Sequence, residues 1–310
     1  MKVLFMGTPD FAVFSLKSLI AAGHDICAVI TQPDKPRGRG YTLTPPPVKV
    51  AALEENIPVY QPQTLKGEEF ASLLSWLDPE IIVVVAYGKI LPQNVLDYTK
   101  YGCINVHGSL LPEYRGAAPM QRAIIDGKTV TGITTMYMAA GLDTGDMLLK
   151  EELVIEENDN FETIHDKLGA LGASLIVKTL DGLENGTVTR IPQDDSLSTY
   201  AAKIEKSDCL ISFDNDAKTV HDLIRGLSPI PLSFTHTADG KLLKVIASRI
   251  DDRDTPHENI GEIISLSDGI TVACRRGAIT LLQVLPEGKG RMSASDFIRG
   301  RKVTIGDVLK

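Results

Sequence analysis

A chain of 310 residues is long enough for two domains with a well-buried core, and no stretch of it approaches the ~20 consecutive apolar residues of a membrane span. The net charge of −8 argues weakly against a nucleic-acid partner, and four cysteines without CxxC or CxxH spacing argue against a disulfide framework or a metal site. The opening MKVLFMGTPDF holds too short an apolar run for a secretion signal, so the expectation is a cytoplasmic protein that starts at Met1 and meets no membrane.

KVLFMG (2–7) reads as a buried strand, and AVFSLKSLIAAG (12–23) as a helix closed by Gly23. DICAVIT (25–31) is the next strand, VKVAALEENI (48–57) a helix, PVYQP a short strand and FASLLSWL (70–77) a helix. EIIVVVAYG (80–88) is a continuous β-branched run of the kind that parallel sheets cover on both faces. LPQNVLDYTK predicts a helix and CINVHGS another central strand. MQRAIIDG (120–127) adds a helix, and TGITTMYMAA and DMLLKEELVI read as two strands joined through AAGLDTGD. One long amphipathic helix, 160–186, closes at Asn185-Gly186. The alternation predicts an α/β fold with a doubly wound, mostly parallel, Rossmann-like sheet.

Beyond an irregular, proline-containing connection the pattern changes. Short strand runs separated by DG, DG and RRG turns, with a single helix at 216–227, predict a small C-terminal OB-like β-barrel. The expected division is a first domain over 1–189, a linker over 190–206 and a second domain over 207–310. Acids and bases balance from Ser207 onward, but Arg275, Arg276, Lys289, Arg291, Arg299, Arg301 and Lys302 gather near the end. Such a local basic face suits phosphate contacts, and it is equally an ordinary solvated surface.

The chemistry concentrates in CINVHGSLLP. Residues i and i+2 of a strand share a face, which sets Asn105 and His107 about 6.6 Å apart along the chain. They stand at the C-terminal end of a central strand, where open α/β sheets bind ligands. An amide and an imidazole at that spacing reach one carbonyl oxygen, the arrangement that stabilises a tetrahedral oxyanion in acyl transfer. Local hydrogen bonding to backbone at a strand end would give the same pair, and the residues alone leave both readings open. Cys103 lies roughly 13 Å from His107 by strand rise, and Ser109 lacks the G-x-S-x-G elbow, so a protein nucleophile is the weaker alternative. Asp143, in the Gly-flanked loop between two strands, could face His107 and orient its ring, or could simply cap a turn. MGTPDF is not G-x-G-x-x-G, which removes the case for a dinucleotide. The loop from Asp34 to Lys49 carries Lys35, Arg37, Arg39 and Lys49 around Gly38 and Gly40. It reads as a flexible cationic loop suited to a nucleic-acid end, or as a surface loop with incidental charge.

FMGTPDFA, TQPDKPRGRG with PPPVK, VVVAYGKILP, GCINVHGSLLPEYRGAAPMQRAI, GLDTGDML and GKGRMSASDF together resemble the 10-formyltetrahydrofolate-dependent formyltransferase family along nearly the whole chain. Within it, the PDKPRGRG loop and the C-terminal β domain are similar to the tRNA-acting branch. The resemblance implies that Asn105 and His107 hold the formyl oxygen and that Asp143 pairs with His107 and helps remove the amine proton. It implies a folate site lined by Ser109, Leu110, Leu111 and Pro112 with Val85, Tyr87 and Gly88. The implied donor is 10-formyltetrahydrofolate, with no metal, and the implied acceptor is the methionine amine of initiator Met-tRNA. Arg39, Arg37, Lys35 and Lys49 would then meet the acceptor end, with Arg275 and Arg291 on tRNA phosphates. An enzyme formylating a small amine such as a nucleotide-sugar has the same core chemistry, and nothing in the residues demands more than a monomer.

Overall fold

The structure is a computed structural model of the chain and describes residues 1–37, 42–300 and 302–310. It divides into two compact units that share the chain unevenly. The first holds 1–116, 131–154 and 165–200; the second holds 117–130, 155–164 and 201–310.

The chain begins with β1 (Lys2–Gly7), α1 (Asp10–Ala21) and β2 (Asp25–Ile30), followed by β3 (Lys35–Arg37) and β4 (Thr42–Thr44). Alternation continues through α2 (Pro47–Glu54), β5 (Val59–Tyr60), α3 (Glu68–Leu77), β6 (Ile81–Val85), α4 (Gln93–Leu96) and β7 (Cys103–His107). The two-residue strand β8 (Arg115–Gly116) precedes α5 (Pro119–Ile125), which lies in the second unit. Then come β9 (Val130–Tyr137), β10 (Met147–Val154), the long α6 (Phe161–Glu184) and the short β11 (Tyr200–Ala201).

Among the described residues, seven strands bond in the order β10-β9-β7-β6-β1-β2-β5. β1 runs parallel to β2 and β6, β2 to β5 and β6 to β7, while β9 is antiparallel to β7. All five residues of β6, IIVVV, are buried, as expected for a parallel strand covered on both faces. On one face Met6, Val84 and Cys103 pack with Phe70, Leu74 and Val95. On the other, α6 approaches closely because Gly169 and Gly172 carry no side chain. A Cβ at Gly169 would stand 2.6 Å from Phe14, and one at Gly172 would stand 3.0 Å from Val106. The helix expected over 91–100 is reduced to Gln93–Leu96, since the chain turns at Thr99, whose hydroxyl donates to the Gly102 carbonyl, to enter β7.

The second unit contains α7 (Ala217–Gly226), β12 (Ser233–His236), β13 (Leu242–Pro256), β14 (Ile263–Ser265), β15 (Ile270–Ala273), β16 (Arg276–Pro286), β17 (Met292–Ser293) and α8 (Ala294–Arg299). Its antiparallel strands bond in the order β12-β13-β16-β15-β14, with β17 on β16. β13 runs 15 residues, well past the KLLKVIASRI run, and repeated register shifts against β16 bend it around the core. Val220 and Ile224 of α7 join Leu243, Val272, Leu281 and Phe297 in that core. No described helix is long and apolar enough to cross a membrane.

Candidate active site

β7 presents its C-terminal end between β6 and β9. Asn105 sits opposite Val84 on one side and Met136 on the other, and His107 sits opposite Thr134. The His107 ring is 6% exposed, with Nε2 3.0 Å from the Tyr114 carbonyl. A carbonyl only accepts, so Nε2 carries a proton and donates it. The Nδ1 edge then faces Asp143, with Nδ1 and Oδ2 3.8 Å apart, longer than a direct hydrogen bond. Asn105 is half-buried, and its amide has no hydrogen-bond partner among the described residues.

Asp143 is held at both ends. Its Oδ2 accepts from the Gly116 N–H at 2.8 Å, and its own carbonyl accepts from Gln193 Nε2 at 2.8 Å. The backbone there is left-handed, with φ 51°. Two residues on, a Cβ at Gly145 would stand 1.8 Å from the Tyr137 carbonyl oxygen, so the loop needs glycine at that point. Asn105, His107 and Asp143 thus converge from β7 and the β9–β10 loop, and the chain around Tyr114–Gly116 touches two of the three.

The segment after β7 is tightly folded. Ser109 Oγ donates to the Glu113 carbonyl at 2.7 Å. Thr134 Oγ1 donates to the Ser109 carbonyl at 2.7 Å and accepts the Leu111 N–H at 3.1 Å. The Lys150 ammonium donates to the Leu111 carbonyl, and partial burial moves that lysine's pKa down. The Leu111–Pro112 peptide is cis. Ser109 and Leu111 side chains are fully buried, Leu111 against Met136 and Met147, so the parts of this segment open to a ligand are its backbone, Leu110 and Pro112. At the end of β6, Val85 and Tyr87 are buried and Gly88 is exposed at φ +85°. The Tyr87 carbonyl accepts from Thr8 Oγ1 and Gln32 Nε2, while its buried hydroxyl meets no partner among the described residues. Burial pushes that phenol up to about 12.

The cationic residues separate into two kinds. Lys35 is exposed on a β3–β4 hairpin, a paired structure where the sequence suggested only a loop. Arg37 ends β3, and Arg39 lies outside the described residues. Lys49 turns inward: its ammonium donates to both Asp34 oxygens at 2.9 Å and to Gln61 Oε1 at 2.8 Å. Lys49 and Gln61 hold the Asp34 carboxyl below its usual range. In the second unit Arg275 grips Asp214 with contacts of 2.8–3.0 Å, whereas Arg291 is exposed on the approach to β17.

Sequence reasoning gave no role to Tyr114, Thr134, Lys150 or Gln193. Thr134, Lys150 and Gln193 act through backbone groups far away in sequence, and Tyr114 acts through its own carbonyl, seven residues beyond His107, so none leaves a periodic signal.

The Formyl transferase family model matches residues 1–180, and the Formyl transferase C-terminal domain model matches 203–302. A methionyl-tRNA formyltransferase of Pelotomaculum thermopropionicum is 48% identical over 310 residues, covering 100% of this chain and 98% of that protein. Its counterpart in Geobacter metallireducens is 47% identical over 307 residues, covering 99% and 97%. Among solved structures, the N-formyltransferase from Helicobacter canadensis in complex with folinic acid and dTDP-3-aminofucose gives a TM-score of 0.67 at 18% identity, covering 91% of this chain and 98% of that one. HypX from Aquifex aeolicus in complex with tetrahydrofolic acid gives 0.63 at 15%, covering 96% and 47%. At those identities the likeness is one of fold, but the relatives match along their full length and carry the decision: the chain belongs to the methionyl-tRNA formyltransferase family.

Proposed function

We propose that this enzyme transfers the formyl group of 10-formyltetrahydrofolate to the α-amino group of methionine on initiator tRNA, with Asn105, His107 and Asp143 as its catalytic residues. Full-length similarity to methionyl-tRNA formyltransferases supports the reaction, and the convergence of His107 and Asp143 at 3.8 Å beside Asn105 supports the site. The amine nitrogen attacks the formyl carbon, a C–N bond forms, and the carbonyl oxygen becomes an oxyanion. Asn105 offers that oxygen an amide N–H, and His107 offers a second donor when Nδ1 is protonated. Asp143 accepts the proton the amine sheds, directly or through water. The bond to N10 of the folate then breaks and N10 takes a proton.

An α-amino group with a pKa of about 7.7–8 is already nucleophilic near neutrality, so most of the rate comes from position and from oxyanion stabilisation. The exposed backbone at Gly88 suits the edge of a polar ring system at the end of β6, with the Tyr87 side chain packed beneath it. The first domain would carry the chemistry. Lys35 and Arg37 of the β3–β4 pair, Arg39 and the second domain would carry the tRNA, with Lys49 holding Asp34 rather than a phosphate.

The test is transfer of labelled formyl from 10-formyltetrahydrofolate to Met-tRNA. Alanine at Asn105, His107 or Asp143 should each lower turnover by about 10²–10³ while circular dichroism stays unchanged. Wild-type rates in all three would overturn the site. Replacing Lys35, Arg37 and Arg39 together by Ser should raise KM for tRNA. Formylation of a nucleotide-sugar amine in place of Met-tRNA would overturn the acceptor.

A further inference from the structure

Gln193 stands in what the sequence marks as a structureless connection, yet all of its side-chain capacity is used within the active-site region. An isolated antiparallel bridge brings it there: the Ile191 N–H and carbonyl pair with the Met147 carbonyl and N–H, both at 2.9 Å. Gln193 Oε1 accepts twice from Arg115, from Nε at 2.9 Å and Nη2 at 2.8 Å. Gln193 Nε2 donates to the carbonyls of Asp143 and Gly145, both at 2.8 Å. Arg115 is only 11% exposed, and its Nη2 also bonds Asp195 at 2.8 Å.

These contacts close a circuit. Arg115 is flanked by Tyr114, whose carbonyl holds His107 Nε2, and by Gly116, whose N–H holds Asp143 Oδ2. The Arg115 guanidinium grips Gln193, and Gln193 grips the Asp143 backbone. Moving Gln193 therefore releases Asp143 from one side and loosens the tripeptide that aligns both members of the pair. Asp143 sits in a left-handed conformation, one that Asp tolerates but few residues favour, and the Gln193 bond to its carbonyl adds to what holds it there.

We propose that Gln193 is a positioning residue that sets the Asp143 carboxylate against His107, with Arg115 orienting the amide so that its NH₂ faces the loop. The proposal rests on the catalytic reading of Asp143 given above.

Gln193→Glu and Gln193→Ala separate this role from a merely structural one. The glutamate is isosteric and keeps an oxygen for Arg115, but it presents a second oxygen to the two carbonyls and can donate to neither. Both variants should lower kcat on Met-tRNA by about 10²-fold, the scale of a displaced catalytic group, with KM for donor and acceptor within about threefold of wild type. In an Asp143→Ala background, Gln193→Ala should cost nothing further, because the group being positioned is gone. Recovery of wild-type kcat in Gln193→Glu, or full additivity with Asp143→Ala, would overturn the proposal. If Asp143→Ala alone retained full activity, the catalytic reading would fall instead, and the two failures are therefore distinct. Unfolding midpoints measured alongside identify any variant whose loss is one of folding, and such a loss in Gln193→Glu would count against positioning.

Discussion

A buried hydroxyl without a partner is expensive, and Tyr87 carries one in the core beneath the end of β6. Leaving such a group unsatisfied costs about 1–3 kcal/mol, so Tyr87→Phe should raise the unfolding free energy, by about 1 kcal/mol in urea titration. Because that hydroxyl presents no surface to a ligand, the same variant should leave KM for the donor and for Met-tRNA alone. A variant that is less stable and kinetically silent would show that an ordered water already satisfies the group. Asn105 and His107 were readable at this scale because strand alternation puts them side by side, and Asp143 because a carboxylate between glycines marks a special turn. Gln193 was not readable: its position depends on the Ile191–Met147 bridge, a pairing over more than forty residues that leaves no trace in local pattern. Lys49 was misleading for the opposite reason, a surface-looking cation whose partners Asp34 and Gln61 only folding brings to it.

Helices and strands were read well where periodicity was long, and their partners were not. MQRAIIDG announces a helix, but nothing in it says that α5 joins the second unit. That assignment turns on Gly226 of α7, where a Cβ would stand 2.7 Å from Ile125. The same helix holds the segment before α6 in place. Arg225 donates to the carbonyls of Glu156 and Asp159 and is paired with the buried Asp222, which Lys218 also reaches. His221 lies between Ser248 Oγ at 2.9 Å and the Glu157 carbonyl at 3.2 Å. The neutral ring satisfies both, with Nε2 donating to the carbonyl and Nδ1 accepting from the hydroxyl. Burial lowers the His221 pKa below 6.5; the Arg225 charge adds to that, and the carbonyl bond with the nearby Asp222 and Glu157 charges opposes it. A depressed folded pKa means that the unfolded chain takes the proton first. Stability of this unit should therefore be full above pH 6.5 and fall as pH drops below it. Urea unfolding at pH 7.5 and 5.5 should show the loss in wild type and a smaller one in His221→Gln. Equal slopes in both proteins would assign the acid sensitivity to carboxylates instead.

Over the whole molecule the alternation of strands and helices foretold the parallel sheet, and the turn-separated strands foretold a small OB-like β unit, whose described strands are antiparallel. The charge that should meet tRNA is distributed less simply than the sequence suggested. Of the basic residues between 275 and 302, Arg275, Arg276 and Arg299 are paired with Asp214, Asp254 and Asp296, and Arg301 lies outside the described residues. Lys289, Arg291 and Lys302 are exposed, the first two on the turn between β16 and β17. A phosphate reaching Arg275 must first displace Asp214 from a bidentate contact, whereas one reaching the β16–β17 turn displaces only counterions. Each phosphate contact contributes about 0.7–0.9 to the slope of log affinity against log salt, so Lys289→Ala with Arg291→Ala should flatten that slope by about 1.5. Arg275→Ala should leave it nearly unchanged. Filter binding of Met-tRNA between low and physiological salt reads the difference, with turnover at saturating tRNA serving as the control that the catalytic site is intact. An equal drop from Arg275→Ala would mean that the ion pair with Asp214 opens on binding and that the whole basic face, not one turn of it, carries the tRNA.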